Sequence, residues 1–110
     1  MKICLFEFEE KNYTIKIGKN KSENLKLIDD SNLTDIWFHV EDEPSCHVIL
    51  TNNEKLRNIP RQVLKRCAYL CKINSKAKKS KETKIIYTQL EKVIKVEEVV
   101  IVDRYKWLMV

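Results

Sequence analysis

Residues Asp35–Leu50 read DIWFHVEDEPSCHVIL and contain two apolar runs that a polar segment separates. Each run has the length of a strand and is rich in β-branched and aromatic residues. The segment between them includes Pro44 and Ser45, residue types that favour turns. We therefore predict a β-hairpin with a longer loop, built from strands at Asp35–Val40 and Cys46–Thr51.

The alternation of side chains in this hairpin divides its residues between two faces. Trp37 and His39 would share one face, and Phe38 would lie on the other. Pairing of the strands would bring His39 near His47. The pattern leaves three roles open for the two histidines: hydrogen bonds that orient the loop, direct contact with RNA, or acid–base or metal chemistry together with Asp35.

Outward from the hairpin, the chain shows both strand and helix patterns. We predict two strands before it, at 3–8 and 13–17, and a short helix at about 20–28 with Leu25 and Ile28 facing the core. Val63, Leu64, Cys67, Ala68 and Cys71 recur at helical spacing and predict the main amphipathic helix, at about 60–73, with Asn74 as a left-handed stop. Three or four strands follow. The order predicts one α+β domain over residues 1–110, with a mostly antiparallel sheet.

Length and composition exclude several classes of protein. A chain of 110 residues that is 44% hydrophobic and 34% charged fits one globular domain. No apolar run approaches the roughly 20 residues that cross a bilayer, and the first residues turn acidic without a signal-peptide pattern, so we expect no membrane association. A single glycine, Gly18, excludes the glycine-rich loops that cradle nucleotide phosphates.

The four cysteines, at positions 4, 46, 67 and 71, form no CxxC pair. Zinc sites usually build on such tight pairs, so we predict buried free thiols, no metal site and no cofactor. Free thiols without an export signal favour a reducing, cytoplasmic (intracellular) location.

Charge is strongly segregated along the chain. Residues 1–54 contain 6 Lys or Arg against 11 Asp or Glu, a net of −5, whereas residues 55–84 contain 11 against one, a net of +10. The basic block predicts a polyanionic partner such as a phosphate backbone, although a solubilising lysine-rich face would have the same composition. The predicted nucleic-acid-binding residues are Arg61, Lys65, Arg66, Tyr69, Lys72, Lys76, Lys78, Lys79, Lys81 and Lys84, with the Tyr69 ring available for base stacking.

The hairpin motif resembles the NFACT-R domain, also called domain of unknown function 814. That family has a D-[LI]-W-F-H-[AV] strand followed by P-G-S-H-V-[IV]-L. Further similarities lie at Gly18–Asn24, at the helix that ends before Asn74-Ser75, and at Ile86-Tyr87-Thr88. The motif residues that match are Asp35, Trp37, Phe38, His39, Pro44 and His47. Where the family has Gly-Ser before the second histidine, this chain has Ser45-Cys46.

The resemblance, closest to small stand-alone members, implies an RNA-binding module, with tRNA or ribosomal RNA as the expected partner and the ribosome as a possible platform. Large members act in ribosome-associated quality control. Two alternatives stay open: an enzyme that modifies or cleaves nucleic acid through His39 and His47, and a protein-interaction adaptor that docks on the ribosome. We favour the non-enzymatic RNA-binding module.

Overall fold

The centre of the fold is a six-stranded sheet in which every neighbouring pair is antiparallel. A computed structural model describes all 110 residues. The sheet has the order β1-β2-β4-β3-β5-β8. Its strands are β1 (Lys2–Phe8), β2 (Lys11–Ile17), β3 (Ile36–Val40), β4 (Val48–Leu50), β5 (Lys84–Gln89) and β8 (Lys106–Met109). With two α-helices packed on it, this sheet confirms the predicted α+β class.

The central hairpin forms as predicted but with a shorter second strand. β3 pairs with β4 through Ile36↔Leu50 and Phe38↔Val48. Residues Cys46 and His47 lie outside β4, because the His47 amide donates to the side chain of Asn24 at 3.0 Å instead of to a strand neighbour. The loop thus includes both residues and lies against the first helix.

The main helix, α2 (Arg61–Ile73), covers one face of the sheet. Its apolar residues join a core cluster of 18 buried residues that includes Phe38 and Val48. The prediction of a left-handed stop at Asn74 is wrong, because that residue has φ −100°. Its side-chain amide instead donates to the Leu70 carbonyl at 2.8 Å and satisfies a free helix end.

The opposite face of the sheet carries α1 (Lys21–Asp30) and a separate hairpin of β6 (Val93–Val96) and β7 (Val99–Val102). Asn20 caps α1, and its side chain accepts from the Glu23 amide at 2.9 Å. The core on this face is smaller: Leu27, Trp37, Ile49, Ile86 and Leu90. Leu27 therefore takes the buried position that we expected for Leu25, which is only half-buried.

The predicted burial of cysteines holds for three of the four. Cys46, Cys67 and Cys71 are buried, whereas Cys4 is half-buried. Burial raises the pKa of the Cys67 thiol well above its usual range, so this thiol stays protonated and behaves as a small apolar side chain. Neither α-helix combines the length and the apolar character needed to span a membrane.

Candidate functional site

The outward side of α2 carries side chains that the sheet does not contact. Arg61, Lys65, Arg66 and Tyr69 are exposed at the three- and four-residue spacing of one helix face. The Arg66 guanidinium lies 5.5 Å from the centroid of the Phe6 ring, which orients it beside β1. The other two cations project into solvent.

A short 3₁₀ turn, Lys76–Lys79, extends this basic side beyond the helix. The Ser75 hydroxyl accepts from the Ala77 amide at 3.2 Å and caps the turn. The buried side chain of Ala77 anchors the turn to the rest of the fold. The basic surface, as we call it below, comprises α2 residues Arg61, Lys65, Arg66 and Tyr69 and loop residues Lys76, Lys78, Lys79 and Lys81, all exposed.

None of the cations of the basic surface pairs with a carboxylate. The ion pairs of the chain involve Lys11, Lys21, Lys26, Lys84, Lys95 and the terminal amine. Seven positive charges therefore lie on α2 and the loop after it without a neutralising partner. Such an arrangement is electrostatically suited to an external polyanion.

Two of the predicted binding lysines have other contacts. The expectation that Lys72 lies on the exposed face is wrong: it is 8% exposed, and its Nζ donates to the Val110 carbonyl at 2.9 Å. The end of the chain covers this flank of α2, which helical spacing alone does not reveal. Lys84 is half-buried, pairs with Glu41 at 3.1 Å and lies 4.5 Å from the Trp107 ring centroid.

The two motif histidines meet on the opposite face of the sheet. Their ring centroids are 5.0 Å apart with an interplanar angle of 81°. Trp37 contacts both: it stacks on His39 at 5.4 Å and meets His47 edge to face at 5.5 Å. The hairpin pairing therefore brings the histidines together, as the sequence suggested.

A buried indole fixes the protonation state of His47. The Trp37 Nε1–H donates to His47 Nδ1 at 3.2 Å, and an indole nitrogen is a donor only. The Nδ1 atom must then carry a lone pair, and the neutral ring carries its proton on Nε2. Burial, together with nearby His39, lowers the pKa of His47 to about 3, so the ring is neutral at physiological pH.

His39 has the opposite tautomer. Its Nδ1 lies 2.6 Å from the Val40 carbonyl oxygen, which only an N–H can satisfy. The Nε2 atom of the neutral ring is therefore an acceptor. Burial lowers the pKa of His39, partly offset by the Val40 carbonyl, so this ring is also neutral near pH 7.

Asn24 is a positioning residue that the predicted site set lacks. Its Oδ1 accepts from the His47 amide at 3.0 Å, and its Nδ2 donates to the Ser45 carbonyl at 3.5 Å. A Cβ at Gly18 would collide with the same Oδ1. The resemblance at Gly18–Asn24 was the signal in the sequence that could have identified Asn24. Glycine at position 18 leaves room for the Asn24 amide, which holds the loop that carries His47.

A cleft of about 360 Å³ opens beside the two imidazoles. We call it the two-histidine cleft. Residues from the start of α1, the loop before β4, the hairpin of β6 and β7, and Asn74 directly after α2 line it. Its lining includes Lys19, Lys21, His39, Ser45, His47 and Asn74.

The remaining motif residues have structural contacts. The Asp35 carboxylate accepts from the amides of Asn32 and Asn52, both at 2.9 Å, and so joins two loops at the far end of β3. Four residues of strand, about 13 Å, separate it from His39. Phe38 is fully buried under α2, whereas Pro44 is exposed in the loop and lines the two-histidine cleft.

The Ser45 hydroxyl and the two imidazoles do not form a nucleophile–base pair. The Ser45 hydroxyl accepts from the Val40 amide at 3.1 Å and donates to the Cys46 carbonyl at 2.9 Å, so it is not paired with an imidazole. A neutral His47 whose Nδ1 faces an indole N–H is a poor general base. The same indole opposes metal binding through Nε2, which would move the proton to Nδ1.

The basic surface and the cleft meet at one end of α2. The sheet separates α2 from the histidines, but Asn74, directly after α2, lines the cleft. The basic turn begins two residues later, at Lys76. A ligand on the turn is therefore at the edge of the cleft.

Comparison with protein families gives one match over most of the chain. The model for the NFACT protein RNA binding domain matches residues 2–102. Among curated proteins, coiled-coil domain-containing protein 25 of Bos taurus and of Mus musculus is 44% identical over 79 residues, covering 69% of this chain and 38% of the relative. Its homolog in Dictyostelium discoideum is 35% identical over 89 residues, covering 78% and 43%.

A solved structure shares the fold. The C-terminal part of the fibronectin/fibrinogen-binding protein from Streptococcus suis matches with a TM-score of 0.83 and 26% identity, covering 96% of this chain and 43% of that chain. The curated relatives are longer proteins, and this chain spans about two fifths of their length.

Proposed function

Because the chain belongs to the family of NFACT RNA-binding domains, we propose that it binds structured RNA, such as transfer or ribosomal RNA, through the basic surface. In this proposal the exposed cations of α2 and of the following turn hold backbone phosphates. Phosphate contacts of this kind supply affinity and orientation without reading sequence.

The observation that carries the proposal is the set of seven unpaired cations. A solubilising surface usually intersperses both signs of charge, whereas the only acid among residues 55–84 is Glu82. The helix of 13 residues is about 20 Å long, and the turn extends the cationic surface further. This length is suited to several successive phosphates.

Tyr69 adds a contact of a different kind. Its side chain is 48% exposed between the cations of α2. An exposed ring can stack on an unpaired base, and such stacking is worth about 1–3 kcal/mol per base. We therefore include Tyr69 in the interface and exclude Lys72, whose ammonium is engaged inside the fold.

The test is the affinity for unfractionated tRNA as a function of salt. Counterion release makes log K fall linearly with log salt, by about 0.7 to 0.9 for each phosphate neutralised. Replacing Lys76, Lys78, Lys79 and Lys81 together by Ala should reduce this slope by about 3. A matched control replaces Lys2, Lys11, Lys26 and Lys92, exposed lysines outside the basic surface, and should leave the slope nearly unchanged.

Two results would contradict the proposal. One is the absence of measurable tRNA binding at low salt, and the other is an equal loss of slope in both quadruple variants. The second result would indicate a general effect of net charge rather than a local interface.

The broader role stays a prediction. Docking on the ribosome, a part in quality control and an intracellular location agree with the family but concern the whole protein and its setting. Crosslinking in cells, followed by sequencing of the attached RNA, would distinguish tRNA from ribosomal RNA as the partner.

A further inference from the structure

We propose that the two-histidine cleft receives one unstacked nucleobase of the bound RNA. This inference rests on the proposed RNA-binding function and adds base recognition to the phosphate contacts of the basic surface. It is carried by the hydrogen-bonding pattern of two neutral imidazoles, which is independent of the lysines.

The cleft presents one donor and one acceptor that the protein leaves free. Trp37 holds the proton of His47 on Nε2, and the Val40 carbonyl holds the proton of His39 on Nδ1. Neither Nε2 has a hydrogen-bond partner within the chain. Neither atom is buried, because the one buried side-chain polar atom without a partner is Thr83 Oγ1, so both Nε2 atoms are accessible to a ligand or to water.

The neutrality of both rings indicates what class of group fits. A bare anion would gain no ion pair from the neutral imidazoles. The Lys21 ammonium on the cleft wall is already paired with Glu98 at 3.0 Å, so it offers no free positive charge. A planar heterocycle with an acceptor beside a donor can pair with both the free Nε2–H of His47 and the free Nε2 of His39. Each RNA base carries such an edge, and splayed bases are the usual targets of RNA recognition modules.

The size and surroundings of the cleft suit a nucleotide. Its volume of about 360 Å³ lies within the range of small-molecule sites. Leu25 and Val100 supply apolar contacts to a ring. Lys19, at the rim, forms no ion pair and is available to a sugar phosphate. Asn74 connects this rim to the basic turn, so one RNA strand can contact both.

The experiment is a titration with AMP, GMP, CMP and UMP followed by NMR. The chain has only two histidines, so its imidazole signals report on the surroundings of these two rings. We expect saturable shifts of both imidazole Cε1–H signals with at least one nucleotide and none with ribose 5-phosphate, which has the anion without the base.

Two conservative variants assign the effect to the free nitrogen atoms. In His47→Asn the side-chain oxygen can still accept from Trp37, and in His39→Asn the amide can still donate to Val40, but both lack the group that reaches the cleft. Each should weaken nucleotide binding about 5- to 10-fold. Neither should change the salt slope of tRNA binding. If His47→Asn does not fold, the half-exposed His39 position carries the test alone.

The outcomes separate this inference from the proposed function. Absence of saturable imidazole shifts with all four nucleotides, or equal shifts with ribose 5-phosphate, overturns the base pocket while tRNA binding with its salt slope stands. Nucleotide binding without any tRNA binding overturns both proposals, since the cleft would then serve free nucleotides. Unchanged nucleotide affinity in His39→Asn overturns the base pocket as well.

Discussion

The two faces of the six-stranded sheet differ in how they are built and in what they offer a ligand. The face under α2 carries the larger core, and its helix presents unpaired cations to solvent. The other face has a core of five residues and a cleft with neutral imidazoles. Long-range, salt-dependent attraction therefore belongs to one face and short-range hydrogen bonding to the other.

This division separates affinity from selectivity. Lysines on a helix hold any phosphate backbone, whatever its sequence, because charge carries no base information. Neutral, oriented donors and acceptors contribute little attraction at a distance, but they distinguish one chemical edge from another. Under the two proposals, the basic surface would hold an RNA backbone and the cleft, joined to it at Asn74, would contact one of its bases.

The largest expected effect compares the two cores. Phe38→Ala removes a fully buried ring beneath α2 and should lower the free energy of unfolding by about 3–5 kcal/mol. Leu27→Ala, in the smaller core under α1, should cost about 2 kcal/mol because the short helix can settle into the space. Urea denaturation measures both values. A larger loss for Leu27→Ala would contradict the ranking of the two cores.

The next effect is the response of the cleft to acid. The pKa of His47 is about 3 in the folded protein and near 6.5 when unfolded, so the unfolded state binds the proton first. The stability that the neutral ring contributes is present above the unfolded pKa and is lost as pH falls toward the folded one.

Between pH 6 and pH 4, this group alone should lower the free energy of unfolding by roughly 2–3 kcal/mol. His47→Asn does not titrate and should show a correspondingly flatter profile. Urea denaturation at several pH values measures the difference. Parallel profiles for the two proteins would mean that His47 is not held neutral by its surroundings.

A smaller effect separates the two surfaces directly. The four lysines of the loop after α2 each contribute about 0.5 kcal/mol as exposed charges. Replacing Lys76, Lys78, Lys79 and Lys81 by Ala should therefore weaken tRNA binding about 30-fold at fixed moderate salt. Mononucleotide binding in the cleft should stay within about 2-fold, because the imidazoles are neutral. Fluorescence anisotropy for tRNA and NMR for the nucleotide give the two affinities, and a parallel loss would contradict the division.

The smallest effect concerns the cap of the helix that borders the cleft. Asn20→Ala removes the oxygen that accepts from the Glu23 amide and should cost about 1 kcal/mol in urea denaturation. Asn53→Ala, at an exposed asparagine outside any helix, is the matched control and should change the stability by less than about 0.5 kcal/mol. Equal losses would show that the cap is not what stabilises α1.

The success of sequence reasoning varied with the range of the interaction. The period of the apolar residues sufficed for α2, and the alternation at Trp37, Phe38 and His39 assigned their faces correctly. Lys72 was assigned wrongly because the group that buries it, the Val110 carbonyl, lies 38 residues away in the sequence. Whether Leu25 or Leu27 faces the core depends on the rotation of α1 about its axis, and only the packing of α1 against Trp37 and Ile49 decides that rotation.

The sequence alone determined the class of the fold, the family, and the segregation of charge, because each is written in residue type and spacing along one stretch of chain. The tertiary structure alone decided the tautomers of the two histidines, the contact of Asn24 with their loop, and the separation of the two histidines from α2 by the sheet. Those properties depend on groups that are distant in sequence and meet only when the strands pair. Local patterns report propensity, whereas the state of a buried polar atom depends on its partners in space.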